Sequence, residues 1–94
     1  MPPGSCNKSL NKPENYQGGV IRLEVIQNVN GSEQSVWQDE GMTLDDSQWP
    51  YPINIEWTAP SDASAEVYIL ISEMDSTGNY QAISKSSTFT ADQN

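Results

Sequence analysis

Pro52-Ile53-Asn54-Ile55-Glu56-Trp57-Thr58-Ala59-Pro60, a polar turn, and then Glu66-Val67-Tyr68-Ile69-Leu70-Ile71-Ser72-Glu73-Met74 decide the fold of this chain. In the first run Ile53, Ile55 and Trp57 alternate with Asn54, Glu56 and Thr58, the period of two that sends apolar side chains to one face of a strand. In the second run Val67, Ile69 and Ile71 share one face while Tyr68, Leu70 and Met74 share the other. A strand apolar on both faces is expected to be central and covered on both sides. The two runs therefore predict a β-domain. They announce no reaction.

Working outward, a turn at Asp75-Ser-Thr-Gly-Asn79 leads to a further strand over about 80–90, with Phe89 the last large apolar residue. Upstream, Val20 to Val29 places Ile21, Leu23, Val25 and Val29 on one face and Arg22, Glu24 and Asn28 on the other. Asn30-Gly31 follows, the dipeptide best able to supply the positive φ angles of a type I′ turn, and Ser35 to Gln38 reads as the returning strand. Asp39 to Pro52 is an irregular acidic connection. No segment of useful length has helical periodicity, and Gly, Pro, Ser and Asn interrupt each candidate. The expected fold is all-β, a small antiparallel β-sandwich of five or six strands, complete or with one edge left for a partner. Its core is expected to hold Ile21, Leu23, Val25, Ile53, Ile55, Trp57, Val67, Ile69 and Ile71.

Residues 1–19 have a different composition: three prolines, three glycines, three asparagines, and only Leu10 and Tyr16 as large apolar side chains. They read as an extended polar arm preceding a single domain over 20–94. Two placements are open for it: folded back on its own domain, or reaching onto a neighbouring subunit with Leu10 and Tyr16 as contacts.

Ninety-four residues suit one small domain with a thin stability margin. The hydrophobic fraction is only 35%, which fits a thin sandwich with large solvated faces better than a dense enzyme fold. Net charge is −9, and the only bases are Lys8, Lys12, Arg22 and Lys85. Between Leu23 and Ser84 there are eleven acids and no base. Such a surface repels phosphates and anionic lipid, so neither direct nucleic-acid binding nor membrane binding is expected.

Cys6 is the only cysteine and histidine is absent. An intrachain disulfide, a Cys/His zinc site and His-assisted nucleophilic catalysis are thereby excluded. No run has the length of a membrane span, and the apolar core of a signal peptide is missing, so Cys6 is expected to be an ordinary thiol. Asn7-Lys8-Ser9 and Asn30-Gly31-Ser32 match the glycosylation sequon, a short pattern that arises readily by chance; the turn accounts for Asn30 without a sugar.

The strand ending Trp57-Thr58-Ala59-Pro60, the polar turn, the strand with Tyr68 and the Gly78-Asn79-Tyr80 turn together resemble part of a fibronectin type III domain. The resemblance covers about residues 53–83. It implies an immunoglobulin-like sandwich with Trp57 as core tryptophan and Tyr68 and Ile69 packed near it, in a family of spacer, adhesion and protein-binding modules. The chain departs from that pattern in having too little sequence after Trp57 and no residue there to serve as the family's tyrosine corner.

Two clusters could carry chemistry. Asp39, Glu40, Asp45 and Asp46 offer oxygen ligands for calcium, but their spacing is not that of an EF-hand, and a solvated acidic loop is the commoner meaning. Trp49-Pro50-Tyr51-Pro52 could form a flat aromatic surface for a partner or a sugar ring, or fold over one end of the sandwich. Paired carboxylates for glycoside hydrolysis would need a cleft that so thin a domain does not offer.

No enzymatic activity and no cofactor are therefore expected. The favoured expectation is a structural or interaction protein, an accessory subunit of a larger assembly such as a decoration or cement protein of a virus-like shell. It would contact protein subunits, copies of itself among the candidates, through Leu10, Tyr16, Trp49, Tyr51 and an edge strand, on a virion or extracellular surface. The alternative is a secreted or surface-displayed module that binds carbohydrate or protein through the Trp49–Tyr51 loop.

Overall fold

The alternation over Ile53–Trp57 becomes strand β4 (Tyr51–Thr58), with Ile53 and Trp57 buried, Ile55 half-buried, and Asn54, Glu56 and Thr58 exposed. A computed structural model describes residues 3–59 and 63–93. Within them the other strands are β1 (Pro3–Leu10), β2 (Ile21–Val29), β3 (Ser32–Met42), β5 (Ala63–Met74), β6 (Tyr80–Lys85), β7 (Phe89–Thr90) and β8 (Asp92–Gln93). A single 3-10 turn, Asp46–Gln48, lies between β3 and β4.

The strands form two antiparallel sheets. One has the order β4-β1-β8; the other has the order β3-β2-β5-β6, with β7 also paired to β5. The fold is an all-β sandwich. Ile21, Leu23 and Val25 of β2 and Val67, Ile69 and Ile71 of β5 are buried in the same core as Ile53 and Trp57 of β4. Opposed inward faces of this kind supply the main driving force for a two-sheet domain.

β2 and β3 form the expected hairpin. Asn30 and Gly31 have φ of 53° and 87°, as a type I′ turn requires, and the Asn28 side chain accepts the Gly31 N–H at 3.0 Å. β3 runs from Ser32 to Met42, well beyond the Ser35–Gln38 segment expected, and so takes in Asp39 and Glu40. Register shifts at Ile21/Arg22 and Val25/Ile26 accommodate the longer partner.

The strand expected over about 80–90 is broken in two. Between β6 and β7, Ser86 donates its N–H to Ile69 O at 2.9 Å, while its hydroxyl accepts the Ile69 N–H at 2.8 Å. One side chain thus substitutes for a ladder carbonyl, and the chain can leave β5 without orphaning its amide. It then crosses from β7 in one sheet to β8 in the other through the buried Ala91.

Of the two placements open for the N-terminal segment, residues 3–10 take the one folded back on their own domain, and they do so as a strand. Residues 3–10 are not a separate arm: they pair with β4 residue for residue, from Pro3↔Thr58 to Leu10↔Tyr51. With β1, β7 and β8 included, the strands exceed the five or six expected. A ladder needs backbone only, and Cys6 and Leu10 suffice to put β1 into the core. Of the polar turn expected over residues 60–64, positions 60–62 lie outside the described residues, and 63–64 belong to β5 instead.

β5 is central, as its two apolar faces predict, and is flanked by β2 and by β6 with β7. Among the described residues no further layer covers its outer face. Tyr68 and Leu70 are half-buried among neighbouring side chains, and Met74 is 37% exposed.

Candidate interaction surface

Leu10 and Tyr16, expected to meet a partner, are buried core residues. The Tyr16 hydroxyl donates to Gly19 O at 2.8 Å and accepts the Leu44 N–H at 3.4 Å, tying the first loop to the segment before the 3-10 turn. Glu73 closes the same loop from the end of β5. Its carboxylate accepts the N–H of Gln17 at 3.0 Å and of Gly19 at 2.7 Å, although Glu73 is only 7% exposed.

Trp49 and Tyr51 are half-buried and do not form a flat platform. Trp49 meets Tyr16 edge to face at 5.9 Å and 70°, and meets Tyr51 likewise at 6.4 Å and 67°. The Trp49 indole N–H is buried with no acceptor. The loop folds over one end of the sandwich.

The four acids considered for calcium do not converge. Asp39 and Glu40 are successive residues of β3 and so leave the strand on opposite faces. Asp45 precedes the 3-10 turn, and Asp46 pairs with Lys12 at 2.6 Å. No group of three or more Cys, Asp or Glu able to hold a metal occurs among the described residues.

Every base is engaged within the domain. Lys8 lies over Phe89 at 4.2 Å, Lys85 over Tyr68 at 4.5 Å and Arg22 over Tyr80 at 4.7 Å, while Lys12 takes Asp46. Arg22 Nε also stands 3.0 Å from Glu24 Oε1, close enough for an ion pair but not aligned as a hydrogen bond. The exposed acids Glu14, Asp39, Glu40, Asp45, Glu56 and Glu66 are left without a basic partner among the described residues.

Two ionisable side chains are shifted. The Thr77 hydroxyl, then the Asn79 and Thr77 amides and the Gln81 side chain, hold the Asp75 carboxyl at about 2. Burial, followed by the hydrogen bond and charge of Glu33 and the charge of Glu24, pushes the Tyr68 phenol up. Asp75 shapes the β5–β6 turn, and Tyr68 sits on the outer sheet face; neither lines a deep cleft.

The two open sides of the sandwich differ in kind. On one side the edges of β3 and β4 face each other across a 260 Å³ groove lined by Leu23, Trp37, Met42 and Ile55, with Asp39 among its walls. Here the edges are guarded: β3 exposes Glu33, Asp39 and Glu40, and β4 carries Pro52 and Glu56. Charges and proline on an edge strand discourage further strand pairing.

On the other side β1 is half covered. Only Gly4 and Ser5 pair with β8, and among the described residues no strand pairs with Asn7–Leu10 on that side. Beside this open half lie two adjoining grooves of 200 and 290 Å³ that share Ser9, Leu10, Ile69 and Ser86. The first reaches Ile71, and the second runs along Ser87 and Thr88 to Lys8 and Phe89. No carboxylate lines either groove, although the chain has thirteen acids. No family model, curated protein or solved structure matches this chain.

Sequence reading passed over three residues that matter here. Gln27 and Glu73 stand in phase with the inward sets Val25/Val29 and Ile69/Ile71, and a polar residue in an inward phase was the available signal. Lys8 stands in phase with buried Cys6 and Leu10 but is itself exposed, at the open end of that side of β1. That phase was invisible while residues 1–19 read as an arm.

Proposed function

We propose that this protein is a non-enzymatic association subunit, a small sandwich that joins a larger protein assembly and whose own sheet is completed there. One observation carries the reading: β1 is an inner strand of its sheet, yet along Asn7–Leu10 its edge on the β8 side meets no strand among the described residues and lies beside an apolar groove. Unpaired edges offer backbone donors and acceptors for strand addition, and the open half of β1 carries neither the acids nor the proline that guard the β3 and β4 edges. The acidic exterior and the internal engagement of every base favour protein partners over nucleic acid or anionic lipid. A decoration or cement protein on a virus-like shell, or a subunit of another extracellular or virion surface, fits this role. The likeness to fibronectin type III domains belongs to the same proposal. It is supported by Trp57 and Ile69 lying in one core on consecutive strands of opposite sheets, whereas Tyr68, on the outer face of β5, is not packed near Trp57 as the resemblance implies.

Crosslinking with mass spectrometry in the cells or particles that contain the protein tests the reading. Reproducible crosslinks to one defined protein, lost when the domain is unfolded, are expected. A monomer without crosslinked partners, or turnover of a small molecule by the purified chain, would overturn it.

A further inference from the structure

We infer that the open half of β1, Asn7–Leu10, receives an extended segment of a partner protein that brings a carboxylate to Lys8 and an apolar side chain into the adjoining groove. The inference rests on the association reading above and names the surface and the partner chemistry which that reading needs.

The geometry sets the length of the segment. Asn7–Leu10 pair with β4 but with no strand on the β8 side among the described residues, and they span roughly 13 Å at about 3.3 Å per residue, enough for a strand of four or five residues. Such a strand alternates its side chains, so one face of it looks into the groove over Leu10, Ile69 and Ile71, all buried core residues. An apolar side chain placed there would extend the core. The rim carries the hydroxyls of Ser9, Ser84 and Ser86, which suit a peptide backbone.

Charge then selects the occupant. Lys8 is exposed on the open half of β1, in phase with buried Cys6 and Leu10, and a charge there opposes indiscriminate pairing because covering it would be costly. Among the described residues it stacks on the Phe89 ring at 4.2 Å, and no acid among them lines the groove to neutralise it. An incoming segment with Asp or Glu facing Lys8 removes that cost, whereas one with Lys or Arg adds to it. A second copy of this chain suits the site poorly. It brings another −9 of charge, and its long strands are already held in folded sheets that cannot enter a groove between layers.

The test uses the intact chain and two synthetic eight-residue peptides of alternating valine and threonine, one with a central aspartate and the other with a central lysine. At about 1 mM peptide, a concentration suited to weak strand pairing, the aspartate peptide is expected to slow amide exchange at residues 7–10 and 84–89. Lys8→Glu, which leaves the buried side chains of β1 untouched, is expected to weaken that peptide about fivefold and to favour the lysine peptide by a similar factor. Equal binding of both peptides, an unchanged preference in Lys8→Glu, or no protection of residues 7–10 would overturn the inference. So would protection that grows with protein concentration without peptide, since a second copy would then be the occupant. If partner crosslinks fall on the β3–β4 side while residues 7–10 stay unprotected, the strand site fails and the association reading stands.

Discussion

The indole N–H of Trp57, on β4 of one sheet, donates to Oε1 of Gln27, on β2 of the other, at 3.3 Å inside the sandwich. Gln27 is 1% exposed, and its amide nitrogen donates in turn to Ser64 O at 2.6 Å. One side-chain amide therefore satisfies polar groups on β4 and β5 while standing on β2. It links the layers at a point where apolar packing alone would leave an indole N–H without a partner.

Removing that bridge is expected to be expensive. Gln27→Ala orphans the Trp57 N–H and the Ser64 carbonyl and opens a small void, at a cost of about 2–4 kcal/mol. Trp57→Phe leaves Gln27 Oε1 without its donor. In urea unfolding, the double variant Gln27→Ala/Trp57→Phe should lose less than the two single losses added, with a coupling of about 1 kcal/mol or more. Strict additivity would show that the bond contributes nothing.

Gly4 lies directly opposite Trp57 in the β1–β4 ladder, and a Cβ there would come within 2.6 Å of the indole. The neighbour is a buried ring locked by Gln27, so it cannot swing aside. Gly4→Ala is expected to cost about 1–3 kcal/mol by overpacking and to shift the tryptophan emission of the native state. Unchanged stability and emission would mean that the ring relocates freely.

Glu73 and Tyr16 together pin the loop that enters β2. Glu73→Ala leaves the Gln17 and Gly19 amides without their carboxylate, and Tyr16→Phe removes the hydroxyl bonded to Gly19 O. The first is expected to lose about 2–4 kcal/mol and the second about 1 kcal/mol. Amide exchange at Gln17 and Gly19 should quicken in Glu73→Ala well before β5 opens. If these amides exchange no faster than in the parent, the carboxylate does not hold them.

Asp75 makes a prediction in pH. An aspartate in an unfolded chain titrates near about 3.9, and in the β5–β6 turn its carboxyl is held at about 2. Its folded pKa is the lower one, so its contribution is fully present above the unfolded value and is lost as pH falls from about 4 to about 2. The stability difference between the parent and Asp75→Ala should be constant above about pH 5 and shrink towards pH 2. A difference as large at pH 2 as at pH 7 would assign the effect to turn geometry instead of charge.

Much of the fold was legible because a strand with one dry face repeats apolar residues at a period of two. That pattern located β2, β4 and β5, and Asn30-Gly31 announced its own turn through the positive φ angles it tolerates. β1 was not legible. Pro3-Gly4-Ser5-Cys6-Asn7-Lys8-Ser9-Leu10 carries almost no alternation, since its place is secured by backbone pairing to β4 and by two small inward contacts. For the same reason Leu10 and Tyr16 read as surface contacts although they are core, and the half-open edge of β1 could not be anticipated.

Composition and periodicity were sufficient to determine an acidic, thin, all-β domain with Trp57 inside, because local spacing and charge count require no knowledge of what comes near in space. Which strands became neighbours, which edge stayed bare, and that Gln27 and Glu73 took up inward positions were decided only by the tertiary structure. Those outcomes depend on contacts between residues far apart in the chain, and no local pattern encodes a partner that arrives from fifty residues away.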